Sequence, residues 1–309
     1  MPALHPTAKV VFAQAPDGVR LRVQSAGSGP SKLLMAPGLG RPPVVWRPWV
    51  DQLAGLAQVA TWDMRGCYQS SRPAPDRRGI GDHGQDALAA LDALGWDDEP
   101  VIIGGWSLGV QIALELWRVA PQRIAGLLLI CGTYERPLLS ALPIPGSHLM
   151  LPAVVKRLAR SGPLVDRGAR AVMRHPLTAK AAQALNIIAG GDPAYVARVL
   201  KAFSALDVSM IASIVAQAAD HSAADVLPTI AVPTLILAGD RDVLTPLDRS
   251  AEMHSRIPHS KMKVYSGGTH YTVLEQLSTV LADVALFVGA QVANNADMTA
   301  QSVGYRDCD

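Results

Sequence analysis

The residues of this chain whose types and spacing best suit covalent chemistry lie at positions 105–109, with the sequence GWSLG. The pattern G-x-S-x-G can hold a nucleophilic serine on a tight turn between a strand and a helix, where only glycine leaves room for both elements. An apolar run at residues 101–103 predicts the strand, and apolar residues at helical spacing over 110–120 predict the helix. We therefore predict that Ser107 is a nucleophile and that the backbone N–H of Leu108 stabilises the oxyanion that its attack creates.

A serine hydroxyl is a weak nucleophile and needs a general base within hydrogen-bonding distance. Among the eight histidines, His270 lies in a glycine-rich loop (267–271) directly after a predicted sheet strand (261–265). The other seven lie near the N-terminus, beside predicted surface helices or in the helical segment after the sixth strand. His270 is therefore the predicted base.

A carboxylate must hold the imidazole in the correct tautomer and stabilise its cation. With this kind of serine turn, the acid lies between the serine and the histidine in the chain. Asp240 and Asp242 both satisfy this order and both follow a predicted strand at residues 233–239. The order of residues leaves the choice between them open.

The elements that must position these candidates alternate between strand and helix. Such alternation predicts an α/β fold with a mostly parallel sheet covered by helices on both faces. Strands are predicted at residues 9–14, 19–25, 33–35, 58–62, 101–103, 124–131, 233–239 and 261–265. Helices are predicted at residues 46–56, 86–94, 110–120 and 272–288, and a further helix is predicted to start at Thr245-Pro246.

Between residues 133 and 227 the alternation stops, and prolines and glycines interrupt mainly helical patterns. This segment contains ten Lys or Arg and six Asp or Glu, so its net charge is +4, compared with +2 for the whole chain. A basic helical face can attract acidic substrates or anionic membrane surfaces, although such a face is more often simply solvated. The charge alone therefore does not predict membrane binding.

Five features spread over most of the chain together resemble the α/β-hydrolase fold family. They are an initial hairpin, a glycine-rich loop at 37–40, an Asp-x-Arg-Gly segment at 63–66, the serine turn, and the late aspartate and histidine. The resemblance implies an α/β-hydrolase fold: a mostly parallel, eight-stranded sheet flanked by helices, with a helical cap inserted after the sixth strand. The chain would then consist of a first core part (1–132), the cap (133–227), a second core part (228–290) and a polar C-terminal tail (291–309), in which we expect loose order.

The same resemblance implies roles that the residues alone leave open. Asp242 is favoured as the acid because it is the second aspartate of a Gly-Asp-x-Asp segment, and Asp240 is expected to bind backbone N–H groups. Glu135 is a more distant alternative, since some relatives place the acid after the sixth strand. Leu39 is implied as the second oxyanion donor. Pro37 departs from the family pattern, because many relatives have a histidine before this glycine.

Other residue groups suggest no cofactor chemistry. The 37–40 loop lacks the third glycine of a dinucleotide fingerprint, and no metal-ligand spacing is visible, so we expect neither a cofactor nor a metal. Asp63 and Arg65 are expected to hold local backbone. Trp106 is a candidate for lining the substrate pocket.

Composition restricts the partners and the cellular location. A net charge of +2 gives no reason to expect nucleic acid as a partner. The three cysteines (Cys67, Cys131 and Cys308) are too few and too scattered for a disulfide framework, which favours a cytoplasmic protein. The chain shows no pattern of a secretory leader and no apolar run long enough to span a membrane.

The sequence thus predicts a serine hydrolase that cleaves a small or medium carboxylic ester through an acyl-enzyme intermediate. A lactonase, a thioesterase or a hydrolase of C–C bonds would use the same residues. A ligand-binding member of the fold without turnover is the alternative from another class. The predicted partner is a small-molecule ester or related acyl substrate.

Overall fold

Eight strands form a single sheet in a computed structural model that describes residues 3–97, 99–140, 146–184, 188, 190, 201–202 and 204–303. In chain order they are β1 (Lys9–Gln14), β2 (Arg20–Ala26), β3 (Ser31–Ala36), β4 (Ala57–Trp62), β5 (Val101–Trp106), β6 (Ile124–Ile130), β7 (Thr234–Gly239) and β8 (Ser260–Tyr265). Their order across the sheet is β1-β2-β4-β3-β5-β6-β7-β8. The pairs β1–β2 and β2–β4 are antiparallel and the others are parallel, which confirms the predicted α/β-hydrolase architecture.

Helices cover both faces of this sheet. The described helices are α1 (Arg47–Leu53), α2 (Ile80–Ala93), α3 (Leu108–Val119), α4 (Pro137–Ser140), α5 (Ser147–Ala159), α6 (Pro163–Arg174), α7 (Pro176–Ala184), α8 (Val208–Ala218), α9 (Leu247–Arg256), α10 (Thr272–Glu275) and α11 (Leu277–Val303). One buried apolar cluster joins α2, α3 and α8 to one face, and a second joins α1 and α11 to the other. Successive residues of β5 belong to different clusters: Ile103 is in the first and Ile102 is in the second. This follows from the alternation of side chains along a strand.

Two of the predicted elements differ from the structure at one end for identifiable local reasons. The strand predicted at 101–103 continues to Trp106 through two glycines, which an apolar pattern does not register. A Cβ on Gly104 would lie 2.3 Å from the sulfur of Met35, so a larger residue there would have to displace the end of the Met35 side chain. The helix predicted at 86–94 already begins at Ile80, where the Asp82 carboxylate accepts a hydrogen bond from the Gly79 N–H and stabilises the first turn.

The segment between β6 and β7 contains α4 to α8, as predicted for an insertion after the sixth strand. Helix α8 is tied to the core, because Arg78 donates to Ser213 at 2.8 Å and Gln217 donates to the Pro75 carbonyl at 2.6 Å. Parts of the predicted cap lie outside the described residues, namely 141–145, 185–187, 189, 191–200 and 203. The limits of the cap at 133 and 227 remain a prediction.

The C-terminal helix is longer than expected. The sequence predicts a helix ending at 288 and a loosely ordered tail from 291, but α11 continues to Val303. The tail is polar, yet no glycine or proline interrupts residues 291–303, so nothing in the sequence stops a helix that is already formed. The last predicted tail residues, 304–309, lie outside the described residues.

The Asp-x-Arg-Gly segment is structural, as expected. The buried Arg65 guanidinium donates to both carboxylate oxygens of Asp86, at 2.8 and 2.5 Å, and to Asp17 at 2.8 Å. Two carboxylates therefore offset one buried cation, which fixes the loop after β4 to the start of α2. Asp63 is also buried and accepts a hydrogen bond from the Gln69 N–H at 3.1 Å.

Candidate active site

Ser107 lies on a strained turn between β5 and α3. Its φ of 60° and ψ of −123° fall outside the regions that residues with a side chain ordinarily occupy. The Ser107 N–H donates to the Ile130 carbonyl at 3.0 Å, which ties the turn to the end of β6. Glycine is required on both sides, because a Cβ on Gly105 would lie 2.1 Å from the Gly109 carbonyl oxygen and one on Gly109 would lie 2.5 Å from that of Ala36. The surrounding packing therefore maintains the strain at the serine.

The structure brings the three predicted triad residues together at the carboxyl ends of β5, β7 and β8. The Oγ of Ser107 lies 2.9 Å from Nε2 of His270, and Nδ1 of His270 lies 2.9 Å from Oδ2 of Asp242. His270 is 2% exposed and Asp242 is 5% exposed, so the pair lies away from bulk water. With Nδ1–H donating to the carboxylate, Nε2 is the acceptor that faces the serine hydroxyl.

Asp242 is held as an anion by the loop after β7. Its Oδ1 accepts hydrogen bonds from the N–H groups of Leu244 and Thr245, both at 2.8 Å, and its Oδ2 accepts one from the Thr245 hydroxyl at 2.6 Å. Burial acts to raise the pKa of Asp242, but the charge of protonated His270 and the hydrogen bonds from His270 and Thr245 outweigh it and hold that pKa below its ordinary value. Asp242 is therefore ionised near neutral pH.

The other two acids that the sequence allows have different partners. Asp240 accepts a hydrogen bond from the Gly267 N–H at 2.8 Å, as expected for a residue that shapes its loop. Glu135 accepts one from the Ser222 hydroxyl at 3.0 Å. The carboxylate that contacts the imidazole is that of Asp242.

Residues around the histidine loop hold it in place, and the sequence analysis did not single out most of them. The Glu275 carboxylate accepts hydrogen bonds from both the N–H (2.9 Å) and the hydroxyl (2.6 Å) of Thr269. The indole Nε1–H of Trp106 donates to the His270 carbonyl at 3.0 Å. Trp106 is fully buried and supports the loop through this bond, and its role in lining the substrate pocket stays a prediction. For Thr245, the Asp-x-x-Thr spacing was an available signal, since aspartate often binds backbone N–H groups a few residues ahead.

The glycine-rich loop after β3 lies directly against the serine turn. A Cβ on Gly38 would lie 3.0 Å from the Trp106 carbonyl oxygen and 3.5 Å from the Ser107 Cβ, so even an alanine would fit there only tightly. Leu39, the predicted second oxyanion donor, is the next residue of the loop. Leu108, the predicted first donor, is the first residue of α3, where backbone N–H groups have no acceptor within the helix.

Arg41 links this loop to the histidine loop. Its guanidinium carbon lies 4.9 Å from the ring centroid of Trp106 and 4.6 Å from that of Tyr271, and its Nη2 donates to the Tyr271 hydroxyl. The Tyr68 hydroxyl donates to the Gly40 carbonyl at 2.8 Å. In a chain with Pro37 in place of the usual histidine, these contacts hold the glycine-rich loop at its other end.

A cavity of about 980 Å³ lies beside the amino ends of β7 and β8, away from the triad, and none of the candidate residues lines it. In the part of the chain that the structure describes, no three His, Cys, Asp or Glu side chains are grouped as a metal site would require. The helices described here include none that is long and apolar enough to cross a membrane. Among the sites described here, the group of Ser107, His270 and Asp242 is the one whose geometry suits catalysis.

A mostly parallel eight-stranded sheet with a strained serine turn after its fifth strand defines an α/β-hydrolase-type protein. The sequence model of the "alpha/beta hydrolase fold" family matches residues 33–277. This chain belongs to the α/β-hydrolase fold family.

Named relatives have diverged widely from this chain. It is 28% identical over 277 residues to a polyketide synthase of Burkholderia thailandensis, a match that covers 84% of this chain but 12% of the synthase. It is 26% identical over 266 residues to a provisionally named carbamate hydrolase of Caulobacter sp. (strain K31), covering 84% of this chain and 91% of that protein. An esterase structure from Exiguobacterium antarcticum is 20% identical, with a TM-score of 0.72 over 91% of this chain and 99% of that one, and this likeness shows the fold.

Proposed function

We propose that this protein is a serine hydrolase that cleaves a small or medium carboxylic ester through an acyl-enzyme intermediate. The observation that carries the proposal is the continuous hydrogen-bonded path from Ser107 through His270 to Asp242, with both distances at 2.9 Å. In this proposal Ser107 is the nucleophile, His270 the general base and then the general acid, and Asp242 the residue that orients and stabilises the imidazolium. We place the enzyme in the cytoplasm, where Cys67 and Cys131, both buried free thiols, would remain reduced.

Acylation begins when Nε2 of His270 removes the hydroxyl proton as Ser107 Oγ attacks the ester carbonyl carbon. The carbonyl π electrons move onto oxygen, and the N–H groups of Leu39 and Leu108 stabilise this oxyanion. The tetrahedral intermediate collapses as the bond to the alkoxy group breaks and the imidazolium donates its proton to that leaving group. The products of this half-reaction are an alcohol and an ester of Ser107.

Deacylation repeats these steps with water as the nucleophile. His270 removes a proton from water, the hydroxide attacks the acyl carbon, and the imidazolium returns a proton to Ser107 Oγ as the acid leaves. Asp242 stays ionised throughout, because its hydrogen bonds favour the carboxylate. Its charge stabilises the imidazolium of both half-reactions.

Lactones, thioesters and cleavable C–C bonds fit the same steps, because each presents a carbonyl carbon and a leaving group. Several relatives carry the name of a carbamate hydrolase, and a carbamate also presents such a carbonyl. The segment between β6 and β7 is proposed to set the substrate choice among these, since lids of this kind gate such sites.

A panel of chromogenic esters with increasing acyl length tests the proposal on the full chain. We expect turnover with a preference for one range of acyl lengths. A lactone and a thioester of that length then show whether the protein hydrolyses either of them faster than the ester. Absence of turnover on every member, with the protein shown to be folded, would favour the ligand-binding alternative.

A further inference from the structure

Helix α6 is amphipathic, but its apolar side faces solvent. Leu164, Val165 and Val172 form an apolar stripe at helical spacing, and all three are exposed, Leu164 at 78% and Val172 at 64%. On the opposite side, Asp166 is 6% exposed and accepts hydrogen bonds from the N–H and hydroxyl of Ser209, at 3.0 and 3.1 Å. A helix that only packs against its own protein would place these two sides the other way round.

Exposed apolar side chains are also frequent on α5 and α7, the helices before and after α6 in the chain. The structure describes 13 exposed large apolar side chains, and seven of them lie in α5 to α7. We call these seven the cap face: Leu149, Met150, Val154, Leu164, Val165, Val172 and Leu177. Side chains of α6 and α7 meet in one apolar cavity of about 510 Å³, which is lined by Ala171, Val172, His175, Leu177, Thr178 and Ala181. Exposed apolar groups concentrated in this way mark an interaction surface.

The helices that carry the cap face are predominantly positive, although Arg170 pairs with Asp207 at 2.9 Å. Residues 147–184 contain seven Lys or Arg and a single acid, Asp166, so the net charge of this stretch is +6. Five of these cations have exposed side chains: Lys156, Arg157, Arg160, Arg167 and Lys180. Asp166 is buried against Ser209 and cannot offset them at the surface.

This charge decides between the candidate occupants. A second copy of the chain, docked face to face, would bring another stretch of net charge +6 against the first, which like-charge repulsion opposes. On an anionic lipid surface, the negative headgroups would bind the cations, which long Lys and Arg side chains can carry to them. The apolar stripe would lie at the boundary between the headgroups and the acyl chains. An acidic protein would match the charges, but the outward apolar stripe of α6 is the arrangement that interfacial helices use.

We propose that the cap face is a docking surface for anionic lipid membranes, on which α6 lies with its apolar stripe in the headgroup region. This inference goes beyond the proposed ester hydrolysis and does not depend on it, because lipid binding is measured without substrate. It also locates the protein's contact with a membrane on the same insertion that is proposed to set substrate choice.

The test is co-sedimentation of the full chain with vesicles of phosphatidylcholine alone and of phosphatidylcholine mixed with phosphatidylglycerol. We expect binding to the mixed vesicles that weakens as salt is raised and is much weaker for phosphatidylcholine alone. Arg167→Glu should weaken binding at least about fivefold, as expected from the contribution of one cation near an anionic surface. Leu164→Glu combined with Val172→Glu should abolish it.

Leu286→Glu is the matched control, because Leu286 is 74% exposed but lies on α11, outside the cap face. It should bind mixed vesicles like the native chain, and circular dichroism should show that every variant is folded. Binding that is equal for the control and the cap variants would overturn the proposal. So would absence of binding to mixed vesicles, and in that case an acidic protein becomes the partner to seek. Ester turnover by the same samples separates failure of this inference from failure of the proposed function.

Discussion

At the carboxyl ends of β5, β7 and β8, polar groups are buried and held by several partners each, whereas on α5 to α7 apolar groups are exposed. Asp242 illustrates the first region, since its two oxygens accept hydrogen bonds from Leu244, Thr245 and His270. Leu164 illustrates the second, with more than three quarters of its side chain in solvent. The difference corresponds to the two proposals: the first region would fix reacting groups in place, and the second would present a surface to something outside the chain.

The two regions are joined by α8. This helix is tied to the core through Arg78 and Gln217, while α5 and α6 pack against it from the outside. Substitutions near the triad should therefore change the rate of chemistry, and substitutions on the cap face should change binding to an external partner.

The largest effect is expected from Ser107→Ala. Removal of the nucleophile should lower kcat on any ester by about 10⁶, as in hydrolases whose triads act as a unit. The melting temperature should hardly change, because the hydroxyl contributes to chemistry and not to packing. Steady-state kinetics with thermal unfolding tests this, and a variant that keeps more than about a hundredth of the native kcat would show that another nucleophile acts.

Asp242→Asn should lower kcat by about 10²–10⁴, because an amide favours the wrong histidine tautomer and cannot stabilise the imidazolium. Asp240→Asn is the matched control two residues away. It loses part of the contact with the Gly267 N–H and should cost about 1 kcal/mol of stability with a smaller kinetic effect. If Asp240→Asn lowered kcat more than Asp242→Asn did, the assignment of the acid would be reversed.

Arg41→Met should lower kcat about tenfold and leave KM nearly unchanged. The Arg41 guanidinium connects Tyr271 with the loop that contains Leu39. Loss of this charged hydrogen bond would misplace an oxyanion donor, and the rate should then fall about tenfold. Arg47→Met, six residues further along the chain on α1, serves as the control. An equal rise in KM with kcat preserved would instead assign Arg41 to substrate binding.

The lowered pKa of Asp242 predicts a specific pH dependence of stability. Because the folded-state pKa lies below the ordinary value of 3.8, ionised Asp242 stabilises the fold above that pH, and this contribution is lost as the pH falls through the folded-state pKa. The difference in free energy of unfolding between the native chain and Asp242→Asn should therefore shrink below about pH 4. Urea titrations at several pH values measure it, and a difference independent of pH would mean that the carboxylate gains nothing from its partners.

The smallest kinetic effect is expected on the cap face. Leu164→Glu should leave kcat on a short, water-soluble ester within about twofold of the native value, because exposed positions rarely affect stability or distant geometry. The same assay with Ser107→Ala as the inactive reference measures this. A large loss of kcat would show that α6 helps to shape the site itself.

Much of this division could be predicted from sequence, since it depends on local patterns. The G-x-S-x-G motif predicted the turn at Ser107, and the positions of Asp242 and His270 after predicted strands placed both at one edge of the sheet. Contacts between distant segments could not be predicted in this way. Arg41 and Tyr271 are 230 residues apart in the chain, and no spacing signals that they meet.

Orientation was the other property that the sequence could not supply. The stripe of Leu164, Val165 and Val172 is visible as a helical period, but a period does not say whether the stripe faces the core or solvent. Trp106 is a second example. The sequence offers it as a candidate for lining the substrate pocket, and only the structure shows that its ring is buried and that its N–H donates to the His270 carbonyl.

The most direct test of the central claim is covalent labelling of the native chain with a fluorophosphonate, followed by peptide mass spectrometry. A fluorophosphonate reacts with a serine that an adjacent base activates, so it reports the path from Ser107 to His270 without knowledge of the substrate. We predict one modified residue, Ser107, and labelling slowed by at least about a hundredfold in His270→Ala. Labelling of another residue, or of Ser107 at the same rate with and without His270, would contradict the account.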